Sequence, residues 1–379
     1  MLLSDFQAAE LKKAMLKLQR RALINNSLDL AKSRPDVLVE PGMFDRARDL
    51  FNVANGTIDL VTMELRPHNP EDMITKISSV EYDPEAKCPV FDRFYADILP
   101  PEIGKFVFRA FGYALLGYSI EQVLFFLLGP PKNGKSTLLN TVASVFGEYG
   151  VAADPPTFAQ RESNSINNDL ARLAGVRLVT STELPEGMIL NAALIKRATG
   201  GEPLVVRRLY QEFFEFVPQF VLFFGTNYAP IINGSDRAMG RRVILVPFQH
   251  VIPDGMKDPH LPAKLAAERS GILNRLLDGL RDYRQNGLQS PKIVQESTAS
   301  FIEESDMIKA FMEADCELGH TYETGAQDLF DRYAIWSQQQ HVSPYSSPMF
   351  KRALESGYGL HQKRKSRGKV WVGVKLRTL

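Results

Sequence analysis

The run Gly129-Pro130-Pro131-Lys132-Asn133-Gly134-Lys135-Ser136-Thr137 satisfies the pattern G-x-x-x-x-G-K-[ST]. A glycine-rich turn lets backbone N–H groups point inward at phosphate oxygens, and the helix start that follows adds the positive end of its dipole. In that frame Lys135 neutralises the β and γ phosphates of a nucleoside triphosphate, and Ser136 holds magnesium. Other positions carry groups that phosphoryl transfer needs. Glu183 closes an apolar run, where a carboxylate either supports the metal or polarises the attacking water; Glu186, just beyond Pro185, leaves that division of labour open. Asn227 follows another such run, and its carboxamide can orient water and touch a γ phosphate. Arg241 and Arg242 precede a further run. An arginine lent by a neighbouring subunit stabilises charge spread over the γ oxygens, which gives a reason for a ring and leaves open which of the two acts.

These groups need a frame that delivers them to one place. Residues 123–128 (VLFFLL) form a short apolar run ending in glycine, the pattern of a strand buried on both faces, and similar runs recur at 176–182, 220–226 and 242–248. Helical stretches separate the first two, so the expectation is a mostly parallel sheet with helices on both faces. Residues 1–48 read as a helical arm, with Leu11, Met15 and Leu18 at helix spacing, and 49–118 as a small α+β module that opens on the hairpin dipeptide Asn55-Gly56. The nucleotide-binding core is expected at 119–255 and a helical lid or connector at 256–325. A final module at 326–379 has helix candidates at DLFDRYAIWSQQQ and SPMFKRALES before the strand-like GKVWVGVKL.

At 379 residues the chain is long enough for two or three domains, and no apolar run approaches the ~20 residues of a membrane span. The amino terminus lacks the long apolar stretch of a secretory signal. Cys88 and Cys316 have no partners at metal-ligand spacing, which points to a reducing compartment and no zinc site. The net charge of +1 hides an uneven distribution: from Met349 onward nine Lys or Arg face only Glu355, whereas residues 301–330 carry eight acidic residues against one lysine. A basic end on a nearly neutral chain suits a nucleic-acid contact confined to one module, and equally a solubilising tail.

Taken together, NVANGTIDL, GPPKNGKST, RLVTSTE, ALIKRATGGEPLVVRRLYQE, FGTNYAP and DRAMGRRVILVPF resemble the superfamily 3 helicases, in particular the poxvirus-type and phage or plasmid primase-helicase family. The resemblance covers over half the chain, from about Asn52 to Phe248. It implies an AAA+-like P-loop core in an α/β fold, ATP and Mg2+ as ligands, a homo-hexameric ring, and 3′ to 5′ movement along single-stranded or forked DNA. A β-hairpin built from LVVRR and FFEFV would project into the ring channel, offering Lys196, Arg207 and Arg208 to phosphates and Tyr210 for stacking. The last module resembles that family's winged helix. Lys363, Arg364, Lys365, Arg367 and Lys369 then fall at the wing turn, placed for phosphates or a minor groove, or merely solvated. Family members often carry a primase-polymerase domain ahead of the helicase; nothing before residue 50 offers its acidic cluster, so no nucleotide polymerisation is expected. The cellular setting implied is a host cytoplasm, serving a phage, satellite or plasmid replicon with a possible primase or origin partner and no membrane. Two other classes stay open: an origin-binding initiator or loader in which ATP only sets assembly, and a protein-remodelling ATPase on the same core.

Overall fold

The computed structural model describes residues 5–35, 38–39, 41–160, 168–186, 188–209, 211–228, 230, 237–253, 255, 258–304, 307–340, 344–366 and 368–377. They divide into two units, Met1–Ala47 with Pro70–Thr75, and Arg48–Asn69 with Lys76–Leu379. In the first lie α1 (Asp5–Leu18) and α2 (Arg21–Ala31), two helices within the stretch read as a helical arm. Their apolar stripe is unfilled, with Leu11, Met15 and Leu18 each more than half exposed. The Asp45 carboxylate accepts hydrogen bonds from Thr75 N (2.8 Å) and Thr75 Oγ1 (2.6 Å), tying the two stretches of this unit together.

The second unit opens with an antiparallel sheet of β1 (Leu50–Val53), β2 (Gly56–Asp59) and β3 (Glu64–Arg66). Val53 pairs with Gly56, so the turn is Ala54-Asn55, one residue earlier than the Asn-Gly dipeptide suggested. Two amphipathic helices follow, α3 (Pro89–Ile98) and α4 (Pro101–Leu115), each with proline in its first turn, where the missing N–H costs nothing.

The core sheet contains β4 (Leu124–Leu128), β5 (Gly150–Ala152), β6 (Leu178–Thr182), β9 (Val221–Thr226) and β10 (Val243–Pro247), all parallel, in the order β10-β4-β9-β6-β5. Four of these were expected; β5 is a fifth, three residues long, and it exists by pairing with β6. The aromatic-rich runs explain why the strands register as they do. Phe125 stacks on Phe223 at 4.6 Å towards α4, where Phe111 lies 4.4 Å from Phe223, and Phe126 stacks on Phe224 at 5.0 Å towards the opposite face. Both faces are therefore covered, one by α4 and the other by a core that includes Phe158 and Phe301.

Between the core strands lie α5 (Lys135–Phe146), α6 (Ala192–Gly200), a separate antiparallel hairpin of β7 (Leu204–Arg207) and β8 (Phe213–Phe216), and the one-turn α7 (Arg237–Gly240). Beyond the sheet come α8 (Leu261–Ala267), α9 (Arg269–Asn286) and α10 (Lys292–Glu304). α9 crosses α4 with almost no space between backbones: a Cβ on Gly112 would sit 2.2 Å from Leu280 N, and one on Gly279 would sit 2.2 Å from Phe108 O. Glu268, at the α8–α9 junction, caps α3 from outside, accepting from Val90 N (3.0 Å) and Phe91 N (2.8 Å).

The remaining elements are α11 (Met307–Asp315), β11 (Cys316–Gly325), α12 (Ala326–Gln339), α13 (Ser347–Tyr358), β12 (His361–Lys365) and β13 (Gly368–Leu376), with sheet order β11-β13-β12. They enclose their own core around Phe311, Leu329, Tyr333, Phe350 and Trp371. The stretch Cys316–Gly325, read from sequence as helical connector, is instead a strand, because β13 offers it a pairing edge. Among the described residues, no helix is long and apolar enough to cross a membrane.

Candidate active site

In an open parallel sheet, ligands bind beyond the carboxyl ends of strands, where the chain's connections diverge. From β4 the chain passes out to β5 across β9 and β6, and from β9 it returns across β4 to β10, so that crevice lies beside β4. Gly129 follows β4 there, and Lys135 begins α5. Gly134 holds the turn at φ 83°, and a Cβ on it would meet Ile98 Cγ2 of α3 at 2.8 Å. Asn133 is buried and donates through Nδ2 to Phe248 O at 3.0 Å, fastening the loop to the end of β10. Lys132 has φ 64°, and its carbonyl accepts from Ile252 N at 2.8 Å.

Lys135 is only 4% exposed, and its ammonium is encircled by oxygens. It donates to Gly129 O (2.8 Å), Pro130 O (3.0 Å), Asn133 Oδ1 (2.8 Å) and Asn227 Oδ1 (3.1 Å). Burial pushes its pKa down to about 8. A buried cation held by uncharged acceptors at the start of a helix fits an anionic phosphate. Ser136 is exposed beside it and Thr137 half-buried, while Pro130 and Pro131 form the outer rim.

The sheet register brings two more of the expected residues to this edge. Thr226 pairs with Leu128, so Asn227 is level with Gly129; Thr226 Oγ1 donates to Tyr228 O (2.7 Å) and accepts from Tyr228 N (3.1 Å), which shapes the turn. Glu183 follows β6, two strands from β4 and therefore about 10 Å away at the backbone. It is exposed, its N–H donates to Gly225 O at 3.0 Å, and its φ is 61°, a left-handed conformation that costs energy for a residue with a Cβ. Such strain is common where a side chain must be aimed.

Arg241 and Arg242 are not brought to this edge. They precede β10, at the amino end of the sheet, a strand length of roughly 16 Å from the loop of their own chain. Arg241 is exposed and has no partner among the described residues, whereas Arg242 is 7% exposed and hydrogen-bonded within its own fold.

The β7–β8 hairpin forms where two β-prone arms were expected. Arg207 lies over the Phe213 ring at 5.3 Å and Arg208 over Phe214 at 5.4 Å. The Nε of Arg207 is buried without a hydrogen-bond partner among the described residues. Lys196 is half-buried on α6, and Tyr210 lies outside the described residues. Phe213, 53% exposed, is the aromatic that sequence reading passed over; its place opposite Arg207 follows only from strand pairing. In the β12–β13 hairpin Lys363, Arg364 and Lys369 are exposed, with Arg364 opposite Lys369; Lys365 is paired with Glu323, and Arg367 lies outside the described residues. Both thiols are buried, which pushes Cys88 up to about 11 and Cys316 up to about 12.

Residues 2–100 match a family model described as D5 N terminal like, and residues 127–242 match a family of unknown function. A protein of Acanthamoeba polyphaga mimivirus, provisionally named a helicase, is 25% identical over 321 residues, covering 77% of this chain and 33% of its own. Similarly named proteins of Invertebrate iridescent virus 6 and the Sputnik virophage are 27% and 23% identical, covering 56% and 70% of this chain and 23% and 36% of theirs. The chain thus spans about a third or less of the length of these relatives. Two apo structures of the NrS-1 C terminal region overlay with TM-scores of 0.46 and 0.48 at 13% and 11% identity, each covering 79% of this chain and 78% of the other. The chain is thus similar in its amino-terminal part to the D5 N terminal like family, and over 56% to 77% of its length to viral proteins that share a helicase name.

Proposed function

We propose that this chain is the motor of an ATP-dependent replicative DNA helicase, assembled as a homo-hexameric ring with each site shared between two protomers. The observation that carries the reading is the split of the machinery across the sheet. Lys135 touches Asn227 at one edge with Glu183 nearby, while exposed Arg241 stands at the other. An arginine roughly 16 Å from its own phosphate loop is out of reach of its own triphosphate, which supports a role at a neighbour's. Lys135 neutralises the β and γ phosphates, the turn from Gly129 to Gly134 wraps them, and Thr137 and the start of α5 add dipoles. Asn227 orients water against the γ phosphate, and Glu183 draws a proton from it. Magnesium, held by Ser136 and supported by Glu183, would supply charge neutralisation at the phosphates when bound.

The work is done on single-stranded or forked DNA. Lys196, Arg207 and Arg208 offer cations to the backbone, with Phe213 and Tyr210 as stacking faces. A winged-helix reading of α12, α13 and the β12–β13 hairpin gives Lys363, Arg364, Lys365, Arg367 and Lys369 a duplex contact. The family likeness adds 3′ to 5′ polarity and a viral, satellite or plasmid replicon in a host cytoplasm, with a primase or origin as possible partner. An initiator or loader that merely assembles on ATP is the competing reading, and the basic β12–β13 hairpin is what favours it.

Mixed rings test the shared site. Lys135→Ala and Arg241→Ala proteins should each lose ATP hydrolysis by at least ~100-fold, and mixing them should restore part of it. The shared-site reading fails if mixed rings form and hydrolysis stays at the level of either variant alone.

A further inference from the structure

Resting on that motor reading, we infer that Arg242 is a positioning residue, the joint through which a DNA strand held by α6 and its hairpin alters the placement of Arg241. A guanidinium presents its donors in a rigid plane, so it can fix several elements at set angles to one another. Arg242 joins three. Its Nε donates to Thr199 Oγ1 at 3.1 Å, its Nη1 to Ala238 O at 2.6 Å, and its Nη2 to Gln122 Oε1 at 3.4 Å.

Each acceptor belongs to a different working part. Thr199 is buried on α6, one turn from Lys196, and its hydroxyl is itself set by donation to Ile195 O at 2.8 Å. The same helix runs on into β7 and the hairpin. Ala238 lies in α7, the turn that ends just before Arg241. Gln122 stands at the entrance to β4, the strand that ends in the phosphate loop, and is held at φ 54°, a left-handed conformation that persists only where its surroundings impose it. The main chain strengthens the joint: Arg242 N donates to Met239 O (3.0 Å), and Arg242 O accepts from Leu124 N (2.8 Å). Burying a guanidinium is costly, and an apolar side chain of similar volume would serve stability as well. Three elements bound at one fork are what the charge obtains in return.

The consequence is a relay from strand to neighbouring triphosphate. A shift of α6 on gripping DNA turns the Arg242 fork, and the fork carries α7 and Arg241 with it. Because Arg242→Ala would leave a buried gap and threaten folding, the test uses its partners. Thr199→Val removes the acceptor and keeps the shape, Gln122→Ala releases the β4 end, and Thr199→Ser keeps a hydroxyl. ATP turnover and KM are measured with and without single-stranded oligothymidylate, alongside ring mass and melting temperature.

Thr199→Val and Gln122→Ala should keep assembly, KM and DNA-free turnover within about twofold while losing at least ~5-fold of the stimulation by DNA, and Thr199→Ser should retain it. The relay is overturned if both variants keep full stimulation, or if both lose turnover in the same proportion with and without DNA. A parent protein with no DNA-stimulated ATP turnover would instead overturn the motor reading on which the relay rests.

Discussion

Burial that brings the pKa of Lys135 down to about 8 from 10.5 makes the proposed nucleotide site pH-sensitive in a defined direction. Because burial lowers the folded-state pKa, Lys135 costs stability while charged below about 8, and that cost fades as pH rises from about 8 towards 10.5. Binding of triphosphate goes the other way, since it needs the ammonium. Affinity for ATP should therefore fall as pH rises past 8, and binding above that pH should take up a proton. Calorimetry in buffers of different ionisation enthalpy reads the uptake directly, and it should vanish in Lys135→Met. Uptake that persists in the variant would assign the proton to another group. Arg241 and Arg242 differ for reasons of the same scale: adjacent in sequence, one is exposed and the other spends its donors inside the fold.

Elements decide how precisely these side chains are held. α9 can lie against α4 only because neither Gly112 nor Gly279 has a Cβ. Gly112→Ala should thus destabilise the protein by ~3 kcal/mol or more, as overpacking without room to relax does, with a matching drop in the urea midpoint. A midpoint within error of the parent would mean that the helices separate at little cost. The placement of the 129–137 loop, Glu183 and Asn227 at strand ends was legible in sequence because buried strands are written as local apolar runs. What escaped depends on distant partners. Gly150–Ala152 carries no such run and becomes β5 by pairing with β6; Cys316–Gly325 sits in an acidic stretch and becomes β11 by pairing with β13. Phe213 and Gln122 gained meaning only from the residues set opposite them, and nothing in their neighbours announces it.

For the whole molecule, charge is concentrated where DNA is proposed to bind. The β12–β13 hairpin exposes Lys363, Arg364 and Lys369 on a module with its own apolar core, so neutralising them should leave the five-stranded core sheet intact. Changing all three to alanine should weaken binding to forked DNA and lower the slope of log affinity against log salt by about 2 to 3, one released counterion per lost phosphate contact. An unchanged slope would make the hairpin a solvated or protein-facing surface. The claim on which everything else depends is that triphosphate held at Lys135 is hydrolysed to move a DNA strand. Strand displacement from a forked DNA substrate, followed with ATP and magnesium for the parent chain and for Lys135→Ala, tests it most directly. The account predicts displacement by the parent that disappears in the variant while DNA binding stays; displacement that survives in Lys135→Ala, or a parent that binds the fork and ATP yet never separates the strands, would contradict it.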